Sequence, residues 1–334
     1  MDKVTFLANQ DSVHVKRWLE VVDQEIFEIE ALDLVLPPFM KVFKYVLLGL
    51  VARFKKDLGL LHAHSALGYG LSAWMSGKKY VVTVYGTEVF SAKPRSFKRL
   101  LLKKVFRGAS AVTCTSDEMK GLLIDSFGVP AFKVYNFSLG ISDLFGGSLR
   151  KKEKETVFFH NRRLHPHYNL DVIISTFEKL ASDNEDVRLK LLSGDCDFDY
   201  KEKVKSSVRE ASWVELYDSR LSQQEVAEIL AASDFSISVP KSDQLSASIL
   251  ESMASGCIPI VAPLRAYDQL KGSGVVFLRN TSVDELYKTI KLLILLPEEE
   301  LVEKRNQVKR YIIENESSSC VKENVTLVYD YVLG

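Results

Sequence analysis

No apolar run in this chain approaches the roughly 20 residues needed to span a bilayer, so a membrane-spanning protein is not expected. Cysteine is sparse too: Cys114, Cys196, Cys257 and Cys320 are the only four, and they lie far apart. They show neither metal-ligand spacing nor a disulfide framework, which suits a reducing cytosol. Charge of one sign is not in excess, with 44 basic and 44 acidic residues among 334. That balance, with no known recognition motif, argues against nucleic acid as a partner. The opening MDKVTFLA lacks the charged-then-apolar order of an export signal and is expected to begin a strand.

What is present is alternation. Short β-branched or aromatic runs alternate with helical stretches throughout, which predicts parallel α/β layers. Strands are expected at Val4–Ala8, Leu60–His64, Tyr80–Tyr85, Ala111–Thr115 and Lys133–Asn136, then at Val157–His160, Val187–Ser193, Trp213–Tyr217, Phe235–Val239 and Ile258–Ala262. Helices are expected at Val13–Val22, Met40–Lys56, Phe97–Phe106 and Asp117–Phe127. The glycine- and charge-rich segment Leu144–Glu155 reads as a linker. The length suits two domains of about 150 residues. The expectation is therefore two doubly wound, Rossmann-like α/β domains facing across a cleft, 1–148 and 149–315. The segment 316–334 is expected to form a helix that packs back toward the first domain. In such sheets, ligands bind beyond the carboxyl ends of the strands.

The most informative segment is SDQLSASILESMASG, Ser242–Gly256. Asp243 stands eight residues before Glu251, with short polar residues between them that lead into a helix. A helix N-terminus favours phosphate through its free N–H groups and its dipole. Two flanking carboxylates can take hydroxyl groups on either side, as a sugar nucleotide requires. The plainer reading of Ser248-x-x-Glu251 is a capping box. A second cluster, FFHNRRLHPHYNLDVII (Phe158–Ile174), puts Arg162 and Arg163 just past a strand. Arginine can grip phosphate oxygens with two parallel hydrogen bonds. The plainer alternative is a solvated arginine pair followed by a helix capped by Asn169.

The first half offers His62 and His64 in LLHAHSALGYG and Glu88 in VVTVYGTEVF. His62 reads as a structural hydrogen-bonder, while His64 and Glu88 stand as functional candidates after their strands. His14 is expected at most to orient the first loop. Between Lys93 and Arg107 lie seven cations and no acid, interleaved with Phe97, Leu100 and Leu102. Met40–Lys56 mixes Phe, Leu and Val with Lys and Arg in the same way. Basic amphipathic helices of this kind suit an anionic membrane surface.

ASDFSISVPKSDQLSASILESMASGCIPIVA resembles the donor-site signature of family-four retaining glycosyltransferases, which have the two-domain GT-B fold. Glu251, Met253, Ala254, Gly256 and Pro259 match it; Asp243 stands where a glutamate is usual, and Tyr168 where a lysine is usual. The segments NQDSVHVKRWLEVV, LLHAHSALGYG, VVTVYGTEVF and FSLGIS resemble those of a surface-polysaccharide subgroup. The resemblance implies a nucleoside-diphosphate sugar as co-substrate, no cofactor, no required metal, and a glycan or lipid-linked acceptor. It assigns ribose to Glu251, the sugar side to Asp243, and the diphosphate to Arg162 or Arg163, Tyr168 and the amides near Ser246 and Ala247. Glu88 and His64 would position the acceptor hydroxyl. A cytoplasmic, peripherally membrane-bound enzyme is the expected whole. The alternatives are a sugar-nucleotide epimerase of the same fold and a catalytically silent subunit.

Overall fold

The computed structural model describes every residue except 38–39, 148–154, 194–195 and 197. The chain divides into two compact units, Met1–Gly140 with Ser318–Gly334, and Ile141–Ser317. The linker expected at Leu144–Glu155 begins as the short helix Leu144–Gly147, and its residues 148–154 lie outside the described residues.

In the first unit, β1 (Asp2–Leu7), β2 (Phe27–Leu32), β3 (Leu60–His64), β4 (Tyr80–Thr83), β5 (Ala111–Cys114) and β6 (Val134–Asn136) form one sheet. Its order is β2-β1-β3-β4-β5-β6, with every pairing parallel. Because successive strand residues point to opposite faces, a sheet covered on both sides needs near-continuous apolar strands. Accordingly, Val4, Phe6, Leu60 and Val81 enter one core with the helices Val13–Val21 and Ser318–Leu333. Leu7, Leu61, Ala63 and Val82 enter the other, under the helices Lys41–Phe54, Tyr69–Ser76 and Phe97–Gly108. Both faces are covered, so the unit is doubly wound. Entry to β3 is tight. A Cβ on Gly59, at φ +61°, would sit 2.0 Å from the Lys3 carbonyl oxygen, so the turn requires glycine.

The second unit repeats the plan with β7 (Thr156–His160), β8 (Val187–Leu192), β9 (Val214–Tyr217), β10 (Phe235–Ser238), β11 (Ile258–Val261) and β12 (Val276–Phe277). The order is β12-β11-β10-β7-β8-β9, again parallel throughout. Phe158 feeds one core and its neighbour Phe159 the other.

Two strands escaped the sequence reading. β2 alternates acid and apolar residues (FEIEAL) at a sheet edge, where Lys3 pairs with Glu30 at 2.8 Å, and β12 is only two residues long. Neither carries the continuous apolar run of a central strand.

Candidate functional site

In the second unit the strand order reverses between β10 and its neighbour β7. Loops that leave the carboxyl ends of adjacent strands at such a switch point diverge and open a crevice for ligands. Both donor-motif segments leave from these two strands. Residues 161–169 follow β7, and 239–246 follow β10.

The two loops are tied by backbone and side-chain bonds. Lys241 N–H donates to the His167 carbonyl at 2.9 Å, and His167 Nε2 lies 2.5 Å from the Ser242 carbonyl oxygen. Asn161 Nδ2 donates to the Ser248 carbonyl at 2.9 Å. Asn169, expected as a helix cap, adopts φ 51° and makes no side-chain cap; its Nδ2 reaches across to the Val239 carbonyl at 2.9 Å. Here a bond between loops displaces the local cap.

Arg162 is at the centre of this arrangement. Its Nη2 donates to Asp243 Oδ2 at 2.8 Å, and its Nη1 donates to the hydroxyls of Ser246 and Ser248, the latter at 2.9 Å. The guanidinium lies 4.5 Å over the Tyr168 ring, a cation–π contact. Tyr168 thus supports the arginine from below where a second cation was the usual expectation. Only 11% of the Arg162 side chain and 18% of Asp243 remain exposed. Burial opposes the guanidinium charge, but Asp243 with Tyr168 and Tyr267 outweighs it and holds the pKa above the ordinary arginine value. Arg163, next in sequence, is exposed. Of the two arginines, Arg162 is the one that bonds the first turn of the helix Ala247–Ala254.

Ser246 is the N-cap of the helix Ala247–Ala254 and makes no side-chain cap. The capping box expected from Ser248 and Glu251 does not form, because Ser248 lies inside the first turn and its hydroxyl bonds Arg162 and Ser246. A serine-rich first turn without a side-chain cap, facing an arginine fork, has the chemistry of an anion cradle. Ala247 opens that turn, and Glu251 stands one turn further along the same helix, half-buried.

Tyr267 has no counterpart in the sequence reading. Fully buried after β11, it donates its hydroxyl to Asp243 Oδ2 at 2.8 Å, while the Gln244 amide donates to Oδ1 at 3.0 Å. Burial, and then the Asp243 carboxylate, push its pKa far up. A tyrosine 24 residues from its partner carries no local signal.

His64 and Glu88 belong to the first unit. His64 Nδ1 lies 2.9 Å from the Tyr85 hydroxyl, and its Nε2 is buried without a hydrogen-bond partner. Glu88 accepts the Ala66 amide at 2.9 Å, fixing the loop after β3. His14 stacks on Tyr85 with ring centroids 4.5 Å apart. His62 is structural, as expected: its ring bonds Tyr329 Oη and Thr83 Oγ1, both at 2.7 Å.

Among the described residues, no three of His, Cys, Asp and Glu converge as metal ligands. The run Asp195-Cys-Asp197-Phe-Asp199 does follow β8, a pattern that the metal-free expectation passed over. Asp195 and Asp197 lie outside the described residues.

Among curated proteins none matches this chain. Solved structures do. A glycosyltransferase from Rickettsia africae aligns with TM-score 0.78 at 14% identity, covering 99% of this chain and 98% of that one. Anabaena HepE in complex with UDP aligns at 0.75 and 13%, covering 99% and 100%. Sucrose-phosphate synthase from Thermosynechococcus elongatus aligns at 0.79 and 9%, covering 99% and 98%. At these identities the likeness speaks for the fold, the two-domain α/β architecture of GT-B glycosyltransferases. Residues 4–142 match the family model for Glycosyltransferase Family 4, and residues 144–315, half of the chain, match that for glycosyl transferases group 1. The chain therefore belongs to the glycosyl transferases group 1 family.

Proposed function

We propose that this glycosyltransferase moves a sugar from a nucleoside-diphosphate sugar to an acceptor hydroxyl with retention of anomeric configuration. The observation that carries this reading is the Arg162 fork beside the uncapped first turn of the helix Ala247–Ala254, at the switch point of the second sheet. Solved relatives in complex with UDP and UDP-glucose support a nucleotide-sugar donor. In the reaction, the bond from the anomeric carbon to the phosphate oxygen breaks. The acceptor oxygen bonds to the same face of that carbon, and its proton passes to the departing diphosphate. Arg162, the Ser246 and Ser248 hydroxyls and the Ala247 amide would stabilise the charge that develops on the leaving group. Glu251 would take the ribose hydroxyls. His64 and Glu88 would align the acceptor, a lipid-linked or surface glycan.

A panel of UDP-, GDP-, ADP- and CDP-sugars tests the donor. The correct one raises the unfolding temperature by mass action, equivalent to about 2.7 kcal/mol at one hundred times its Kd. Glu251→Ala is expected to abolish most of that shift. If no nucleotide sugar raises the unfolding temperature, the donor reading is wrong. One observation favours a second reading, a catalytically silent binding subunit. The Arg162 guanidinium at the cradle is already paired with Asp243, and Tyr168 adds no charge. Slow hydrolysis of the bound donor by the purified protein would exclude that reading.

No helix among the described residues is long and apolar enough to cross a bilayer. The helix Lys41–Phe54 nonetheless exposes Phe43, Val46, Leu47, Leu50, Val51 and Phe54 along one stripe. It packs on the helix Tyr69–Ser76, which in turn touches Phe97–Gly108. From that second neighbour come exposed Phe97, Leu100, Lys104 and Arg107. Apolar side chains beside cations suit an anionic bilayer, each cation adding about 1 kcal/mol near the surface. A second copy docking through the same face would bring like charges together. Sedimentation with vesicles containing phosphatidylglycerol should carry the protein down, and Leu50→Glu with Phe54→Glu should release it. Equal binding to neutral vesicles would defeat the electrostatic part.

A further inference from the structure

The resemblance assigns Asp243 to the donor sugar, but both of its carboxylate oxygens are already engaged. Oδ1 accepts the Gln244 amide at 3.0 Å, and Oδ2 accepts both Arg162 Nη2 and the Tyr267 hydroxyl at 2.8 Å. Tyr267 is fully buried in the turn Arg265–Leu270 after β11, so its hydroxyl is held by the core and not by solvent. The chain of contacts runs in one direction: the core holds Tyr267, Tyr267 holds Asp243, and Asp243 holds one edge of Arg162. Tyr168 supports the guanidinium plane from below. With those positions taken, Nη1 is left directed at Ser246 and Ser248, on the first turn of the anion cradle.

We propose that Tyr267, acting through Asp243, is a positioning residue that aims Arg162 at the N-terminus of the helix Ala247–Ala254, with Asp243 as the counter-ion of Arg162. This assignment deepens the donor-site reading and rests on it for the identity of the bound anion. It also accounts for the short side chain at position 243. Aspartate brings its carboxylate to the arginine while staying bonded to its own loop amide at Gln244. An extended glutamate would carry the charge past that geometry.

The test needs no donor. Phenylglyoxal modifies accessible arginines, and peptide mass spectrometry reads each site separately. In the wild type, Arg162 should react slowly. In Tyr267→Phe it should react about 5-fold faster, the equilibrium worth of about one lost hydrogen bond. Asp243→Asn should raise the rate further. Arg305 is the internal control. It is buried in the same unit and paired with Glu298 and with Asp234, at the amino end of β10, whereas the cradle loop leaves the carboxyl end of that strand. Arg305 becoming reactive in step with Arg162 would mean general loosening and overturn the proposal, as would unchanged Arg162 rates in both variants. Inorganic pyrophosphate, which has no sugar, supplies the second arm. It should protect Arg162, and Tyr267→Phe should weaken that protection about 5-fold, again one hydrogen bond's worth. Equal pyrophosphate affinity in wild type and Tyr267→Phe would overturn the positioning role. Failure of pyrophosphate to protect wild-type Arg162 would count against the donor-site reading alone, and the modification rates would then decide the positioning role.

Discussion

Replacing Arg162 with alanine is expected to lower kcat/KM for sugar transfer by about 10²–10³-fold, the usual effect of removing one preorganised donor from developing negative charge. The guanidinium is nine-tenths buried, supported by Tyr168 and bonded to both serines of the helix turn. Its orientation is therefore set before a ligand arrives, which is the condition for a large electrostatic effect. Arg162→Lys should recover little. An ammonium keeps the charge but cannot bond Asp243 with one edge while directing another at the serines. Arg163→Ala is the control. Its side chain is exposed, and the change should stay within about 3-fold, because exposed charges away from a site contribute little. Steady-state assays with the donor selected by thermal shift would measure all three. Comparable losses at positions 162 and 163 would show that the diphosphate is held elsewhere.

Acidification from pH 7.5 to pH 5.0 is expected to destabilise the first unit by at least about 2 kcal/mol, through His62, and the second by about as much, through His160. Burial lowers the pKa of His62 to about 3, that of His64 well below its ordinary value, and that of His160 to about 4. His62 and His160 are therefore neutral in the folded protein at pH 5, whereas in the unfolded chain each takes up a proton below about pH 6.5; His64 shifts in the same direction. The unfolded state then binds more protons, so stability falls as pH drops from about 6.5 toward the folded values. At pH 5 the unfolded chain is about 1.5 units past that titration, worth about 2 kcal/mol for each of His62 and His160. Among the described residues, His64 and His160 each bury an Nε2 with no hydrogen-bond partner to accept from an added proton. The lowered carboxyl groups at Asp23, Glu30, Glu155 and Asp218 start from ordinary values near 4 and lie below this window. Denaturant titrations at both pH values can follow each unit by its tryptophans. Trp18 packs edge-on against His62 at 4.6 Å in the first unit, and Trp213 stacks on Phe177 in the second. Equal stability of both units at the two pH values would mean that the histidines are solvated.

Much of this protein is set by local sequence. Strand and helix periodicity, with apolar strands broken by short turns, was enough to predict two doubly wound parallel sheets. Strands β3 and β7 are bounded by burial patterns that read directly from LLHAH and TVFFH. The edge strand β2 was illegible because its acids face solvent and mimic a loop. Asp243 and Glu251 were legible as a pair because their spacing brackets a helix start, and a helix start has its own chemistry.

What only the tertiary structure decided concerns partners far apart in the chain. Arg162 meets Asp243 across 81 residues and Ser248 across 86. Tyr329 meets His62 across 267. Such contacts depend on strand order, since β7 and β10 become neighbours only when the sheet assembles. The same assembly turns Arg162 inward and leaves Arg163 in water, although the two are adjacent in sequence and identical in kind. Spacing along the chain determines which groups share an element. The order of strands in the sheet determines which elements face one another, and so decides that Asp243 meets an arginine and a tyrosine that its own segment never mentions.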